Sequence, residues 1–539
     1  MGKLGLVLLA LCLAAGSLSA CGSSSGKEGG TLTGSYASAP DYLDPALSYT
    51  AEGWTAMYDT YTPLLTYRHA SGKAGSEVIP GLAKSMPKIS DGGKTYTLFL
   101  RPGLKYSDGS PIKASDFRFA VERMFKLNSP GLSFFTSIVG AEEFLKTKKG
   151  PISGIKTNDK TGEIKIELEK PRGTFENELG MMFTAPLPQD TPIKNMTADP
   201  PPASGPYEIV KSDPGRSWSY ARNPQWAKVD GKLMPEIPAG HVDKIDINVI
   251  RNDATQVNEV ESGKTDWMQA PPPPDLYQQV KQKYEGSQFR VEPTVSTYYF
   301  WMNMKRAPFN DPKVRQAVNY ALNREAMERI YSGQLVATHQ ILPPDMPGYK
   351  KFDLYPYNMA KAKQLIKEAN PSDLNITVWT LNEPENSEAT QYYQGVLDKL
   401  GFHAKLKEVN SDNYASIIGN SSTPDLDTGW FDWFEDYPHP NDFFAPVLSG
   451  ESIVPINNFN FSQTDIPALN EKISRLGEET LGPKQEAEYA ALDKEYMEEA
   501  PWVPYGTRTE STFVSSAIDL DKVIWNPTFE DDLTSFQFK

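Results

Sequence analysis

The sequence predicts an α/β protein of two or three domains. Three observations carry that expectation. The chain has 539 residues, more than one hydrophobic core can organise. Residues 375–409 read as strand, helix, strand, a βαβ unit that implies a parallel sheet. Two proline-rich seams, "DPPPASGPY" (199–207) and "QAPPPPDL" (269–276), interrupt the periodic segments, and the second is rigid polyproline. Composition is 39% hydrophobic, 11% aromatic and 23% charged, which suits a packed fold and argues against long-range disorder.

The N-terminus reads as an address. Lys3 precedes a nearly all-apolar run, Leu4 to Ala15, too short to span a bilayer comfortably. Small residues and then "LSAC" (Leu18 to Cys21) follow, so residues 1–20 are expected to be a secretory signal peptide. The run resembles the lipobox of bacterial lipoproteins. That resemblance implies cleavage before Cys21, lipid on its sulfur, and a chain held to the outer face of the bacterial cell membrane. A plain signal peptide followed by an incidental cysteine is the alternative. Cys12 lies in the removed segment, so Cys21 is the last cysteine and no intramolecular disulfide can form. "GSSSGKEGG" (22–30) then reads as a flexible tether. It also matches G-x-S-x-G, but lacks the strand before and the helix after that a nucleophile elbow requires.

Removing residues 1–20 takes one of the 54 basic residues, Lys3, and no acid, leaving 53 against 69 acidic side chains. Such a surface argues against nucleic acid and anionic lipid as partners. No later apolar run is long enough to cross a membrane.

Along the chain two periodicities alternate. "KTYTLFLRPG" (94–103) has period two and ends in a turn, hence a strand. In "ASDFRFAVERMFKL", Phe117, Val121, Met124 and Phe125 share a helical face that Ser115 can cap. "GEIKIELEK" (162–170) and "DKIDINVI" (243–250) are further strands. A helix is expected from Pro312 to Gly333, capped by Asp311, and another over 358–371. "NITVWTL", "SEATQYYQGVLDKLG" and "FHAKLKEV" form the βαβ unit, and "PDLDTGWFDW" adds a strand. Ligands of open parallel sheets bind beyond the carboxyl ends of strands. The stretch "GWFDWFEDYPHPNDFF" (429–444), which combines aromatic and acidic side chains, falls at such an end.

No catalytic constellation is visible. The five histidines, at 69, 241, 339, 403 and 439, have no metal-ligand spacing, and thiolate sites are excluded. "DLDTGW" (425–430) begins like a calcium loop but lacks its third acid and its terminal Glu. There is no Walker A and no G-x-G-x-x-G. A secreted hydrolase remains an alternative because glycosidase acids have no spacing signature.

Several segments, taken in order, resemble family 5 of the extracellular solute-binding proteins of ABC importers, which contains oligopeptide- and dipeptide-binding proteins. They are "GGTLTGSYASAPDYLDPA", "GLAKSMPKISDGGKTYTLFLRPGLKYSDGSPIKASDFRFAVERM" with its Ser107-Asp108-Gly109, "SGPYEI", "ARNPQW", "TYYFWMNMKRAPFNDPKVRQAVNYALNREAM" and "WFEDYPHPNDFF". The resemblance covers about Gly30 to the C-terminus. It implies a periplasmic-binding-protein type II-like fold with an extra domain: domain I discontinuous (31–68, 200–294, 508–539), domain II (69–199) and domain III (295–507). Two chain crossings would form the hinge of a closing cleft.

The resemblance also implies a monomeric receptor without cofactor, metal or catalysis, delivering a peptide to a membrane permease. A non-peptide solute (an oligosaccharide, a metal chelate, a modified metabolite) is the alternative ligand, and a chaperone or signalling lipoprotein an alternative role. Peptides share a backbone and an N-terminal ammonium, so the expected site reads those. Asp432 to Phe434, including Trp433, would be one ligand-pairing strand, and Tyr49, Thr50 and Ala51 would lie near the other. Asp436 would answer the ammonium. On the residues alone, Asp436 is equally a loop acid or a turn-former before Pro438. Arg306, Arg315 and Arg324 are candidates for a ligand carboxylate or for structural ion pairs. Some relatives tie the ligand strand to the start of domain III by a disulfide, and Ser296 and Phe434 stand at the corresponding positions.

Overall fold

A computed structural model describes residues 26–539. The expected signal peptide (1–20), Cys21 and residues 22–25 lie outside the described residues. The tether ends earlier than its composition suggests. The Lys27 N–H donates to Phe538 O at 2.8 Å and the Gly29 N–H to His241 O at 2.7 Å, so this segment is docked on the C-terminus and on the loop at His241.

Among the described residues, twelve strands join one mixed sheet. They are β1 (Thr31–Tyr36), β2 (Tyr207–Asp213), β3 (Ser217–Arg222), β4 (Lys244–Val249), β5 (Trp267–Met268) and β6 (Phe289–Pro293). The rest are β7 (Ser296–Met302), β8 (Leu335–Val336), β9 (Asn375–Leu381), β10 (His403–Val409), β11 (Thr428–Phe434) and β12 (Trp502–Val514). The order is β10-β9-β11-β7-β12-β5-β1-β4-β3-β2, with β6 and β8 also paired to β12. β9 runs parallel to β10 and β11, as the βαβ reading requires, and β1 runs parallel to β4 and β5. Gly429 is needed where β11 crowds its neighbours. A Cβ there would lie 2.8 Å from both the Trp301 ring and the Trp379 carbonyl oxygen.

The thirteen-residue β12 serves both halves of the sheet. Its first part pairs with β7 and β8, ending at Leu335 opposite Arg508. Its second part begins at Thr509 opposite Pro293 of β6 and continues to β5. The other crossing is Thr294–Val295, the only residues between β6 and β7. One large hydrophobic cluster surrounds β7, β9 and β11; others surround β1 and β4, and β5 and β6.

A separate four-stranded antiparallel sheet (Lys88–Ser90, Thr95–Phe99, Glu163–Glu167, Ile155–Asn158) packs with the helix Ala114–Lys126. Phe117, Val121, Met124 and Phe125 of that helix are fully buried, each contributing about 1.5–3 kcal/mol of transfer free energy. Ser115 does not cap it. Lys113 stands at the cap, the Asp116 carboxylate accepts the Lys113 N–H, and Ser115 turns outward to Asp159.

The helix expected over 312–333 is two helices, Pro312–Ala321 and Arg324–Ile330. Leu322 is extended, and the Asn323 side chain caps the second helix through the Glu325 N–H, an arrangement that outweighs one more helical turn.

Candidate functional site

β11 alternates as its pleat demands. Phe431 and Trp433 turn to the core against Phe459, at 6.3 and 5.8 Å between ring centroids. Trp430 and Phe434 face the other way, edge-on to Tyr298 at 5.8 and 6.0 Å, with Asp432 between them opposite Tyr298. Ser296 and Phe434 are direct partners across the β7–β11 ladder. Phe434 is 42% exposed. Trp433 is therefore a core residue whose indole N–H reaches the Asp442 carboxylate at 3.2 Å.

Just past β11 three acids gather. The Tyr49 hydroxyl donates to both oxygens of Asp436, at 2.9 and 3.0 Å, across 387 residues of sequence. The Asp436 N–H donates to Asp442 Oδ2 at 2.9 Å. Glu435 accepts from Thr528 Oγ1 at 3.1 Å, while its other oxygen is buried without a partner.

Burial pushes Asp436 up to about 7, partly countered by hydrogen bonds from Tyr49 and Asp442. Burial pushes Glu435 up to about 8, and Asp442 rises through burial and the charge of Asp436 beside it. His439 offers no compensating charge, because burial lowers it to about 3. Among the described residues no cation stabilises any of the three acids. Asp436, held at about 7, is the acid poised to ionise near neutral pH.

Tyr49 itself packs against Trp54 and Phe183, both at 5.9 Å. Thr50 is extended and caps the helix Ala51–Tyr58 through the Gly53 N–H. The segment expected as a strand near Tyr49–Ala51 thus turns helical at Ala51.

A cavity of about 600 Å³ lies between the two halves of the sheet. Ala37, Asp253, Ala270 and Glu383 enter it just beyond the carboxyl ends of β1, β4, β5 and β9, and Trp430 and Asp432 line it from β11. Burial pushes Asp432 up to about 6, moderated by the Tyr298 hydroxyl. Arg508, at the point where β12 changes partners, also lines the cavity and pairs with Glu385. Burial opposes its charge, yet Tyr298, Glu510 and Glu385 hold the guanidinium above its ordinary range.

Sequence reasoning missed Arg508, Glu383 and Glu385. "LNEPENSE" follows a predicted strand, so the carboxyl-end rule could have found the two glutamates. Nothing local marks Arg508. The three arginines weighed as carboxylate ligands are structural. Arg306 pairs with Asp427 at 2.8 Å, Arg315 donates to the carbonyls of Phe309 and Glu499, and Arg324 donates to Pro504 O and Asn319.

One histidine gains acidic neighbours that spacing could not show. His69 Nδ1 lies 2.7 Å from Asp532 and 3.7 Å from Asp59, all buried. Burial and the adjacent Asp532 raise Asp59, whereas the His69 charge and hydrogen bonds hold Asp532 low against the effect of burial.

Residues 77–453 match the family described as bacterial extracellular solute-binding proteins, family 5. The chain belongs to that family. This family 5 protein is 26% identical over 498 residues to heme-binding protein A of Haemophilus influenzae, covering 87% of this chain and 85% of the relative. It is 27% identical to the dipeptide-binding protein of Escherichia coli, over 83% and 82% of the two chains.

Among solved structures, clavulanic acid biosynthesis oligopeptide binding protein 2 superposes with a TM-score of 0.86 at 24% identity, over 95% and 96% of the chains. A periplasmic binding protein from Helicobacter pylori in complex with the peptide STSA gives 0.77 at 21%, over 95% and 99%. These likenesses establish the multi-domain type II-like fold. Among the described residues no helix is long and apolar enough to cross a membrane.

Proposed function

We propose that this family 5 protein is the receptor of an ABC importer, capturing peptides in the cleft and delivering them to a membrane permease. The observation that supports this most is the uncompensated acid group at Glu435, Asp436 and Asp442. A buried carboxylate held near neutrality by burial, with a hydroxyl as its only donor from the opposite half among the described residues, suits an incoming ammonium. Tyr49 then acts from domain I and Asp436 from domain III, with the domains divided as 31–68, 200–294 and 508–539 (I), 69–199 (II) and 295–507 (III). Asp432 and Phe434 border the ligand strand. Trp433 acts indirectly, by orienting Asp442. Lipid on Cys21 would keep the monomeric receptor at the outer face of the cell membrane.

A second reading, a non-peptide solute, draws on the heme-binding relative. Native mass spectrometry of residues 27–539 distinguishes the two. A distribution of co-purified peptide masses supports the first reading, and one non-peptide mass supports the second.

A further inference from the structure

The cavity between the halves is unbalanced in charge. Four carboxylates line it, Asp253, Glu383, Glu385 and Asp432, against one guanidinium, Arg508. Arg508 is already committed. It pairs with Glu385, lies 3.6 Å from Glu510 and sits 5.7 Å over the Tyr331 ring. Among the described residues, Asp253 and Glu383 accept only neutral amide donors, from Gln256 at 3.2 Å and from Asn386 at 3.0 Å. Glu385 Oε1 is buried with no hydrogen-bond donor among the described residues.

The walls are flat and apolar. Trp430 and Tyr298 stand at 71° to each other on one side, and Pro271 to Pro274 supply ring faces on the other. Carboxylates beside aromatic faces attract a planar guanidinium or an alkylammonium and repel a carboxylate. A purely apolar side chain would leave these acids desolvated and unanswered, which is unfavourable.

We propose that this cavity is a subsite for a cationic group, so that the protein selects ligands bearing a guanidinium or amine side chain. For the remainder of the ligand the proposal rests on the peptide reading above. The charge complementarity is a property of the cavity alone.

Calorimetry with matched tetrapeptides tests it. Arginine is put at position 2, 3 or 4, and each peptide is compared with its citrulline counterpart, which keeps the shape and removes the charge. At one position arginine is expected to bind at least roughly tenfold tighter. Asp253→Asn combined with Glu383→Gln should bring that ratio close to one, with the citrulline affinity nearly unchanged. Equal affinities at every position, or a ratio untouched by the double variant, overturn the proposal.

Should no peptide bind, the peptide reading fails, and the cavity is then judged with agmatine against its neutral ureido analogue. Preferential agmatine binding that the double variant abolishes supports the subsite, and its absence overturns it.

Discussion

Asp436→Asn separates a binding residue from a structural one, because it should improve folding while destroying binding. The carboxyl rises from 3.8 to about 7, which corresponds to roughly 4 kcal/mol against the ionised form in the folded chain. Asparagine keeps the shape, still accepts the Tyr49 hydroxyl, and removes the charge beside Asp442. At pH 8 the ligand-free variant should therefore be more stable than wild type, by about 2–4 kcal/mol once relaxation is allowed for. At pH 5 the folded carboxyl is neutral while the unfolded one is still ionised, so the difference should fall to less than half of its pH 8 value.

Binding should move the other way. An ammonium that loses its carboxylate in a closed cleft forfeits about 2–5 kcal/mol. The assays are denaturant unfolding at the two pH values and calorimetry with a free-amine peptide and its N-acetylated counterpart. Wild type should favour the free amine strongly, and the variant should not distinguish them. A variant that keeps the preference, or that is destabilised at pH 8, refutes the assignment.

Affinity of the wild type for a free-amine peptide should fall by about fivefold between pH 7 and pH 6, as Asp436 takes a proton. A flat calorimetric profile over that unit contradicts this. The ligand-free protein should melt higher at pH 5 than at pH 8. Glu435 and Glu530 rise to about 8, and Asp493 and Asp531 to about 7, so the folded chain binds more protons from about pH 4 upward and stability declines as they ionise. A Tm that climbs steadily across that range in calorimetric scans would falsify the burial argument. Arg123→Ala should cost about 3–5 kcal/mol in unfolding experiments, because it strands the fully buried Asp44 that Arg123 grips at 2.6 and 2.8 Å. A loss under 1 kcal/mol would show that water reaches Asp44.

The sequence carried whatever depends on short-range pattern. Alternation along 428–434 sets Trp430 and Trp433 on opposite faces without saying which face meets the cavity, whereas the βαβ unit foretold parallel β9 and β10. Ser296 and Phe434, paired by resemblance, face each other in the ladder. The helix break at Leu322–Asn323 was missed because the apolar stripe continues through it, and only the local cap shows the interruption. Long-range electrostatics were harder to read. Nothing in the chain joins Tyr49 to Asp436, His69 to Asp532, or Arg508 to Glu385 until the fold does. Charge balance in the cavity likewise belongs to four separate segments, 253, 383–385, 432 and 508, and is absent from any one of them.

The shared strand β12 also sets a timetable. It lies in the last tenth of the chain, yet β5 and β7 both need it as a neighbour. Until residues 502–514 arrive, each half of the sheet presents an open, unpaired edge, the configuration in which extended chains stick to one another. Completion is a late and strongly non-local event that finishes both halves together, and such pairings form slowly. A chain cut short by some forty residues would lose more than its tail: two half-built sheets would remain, each with an exposed edge and no strand to join them.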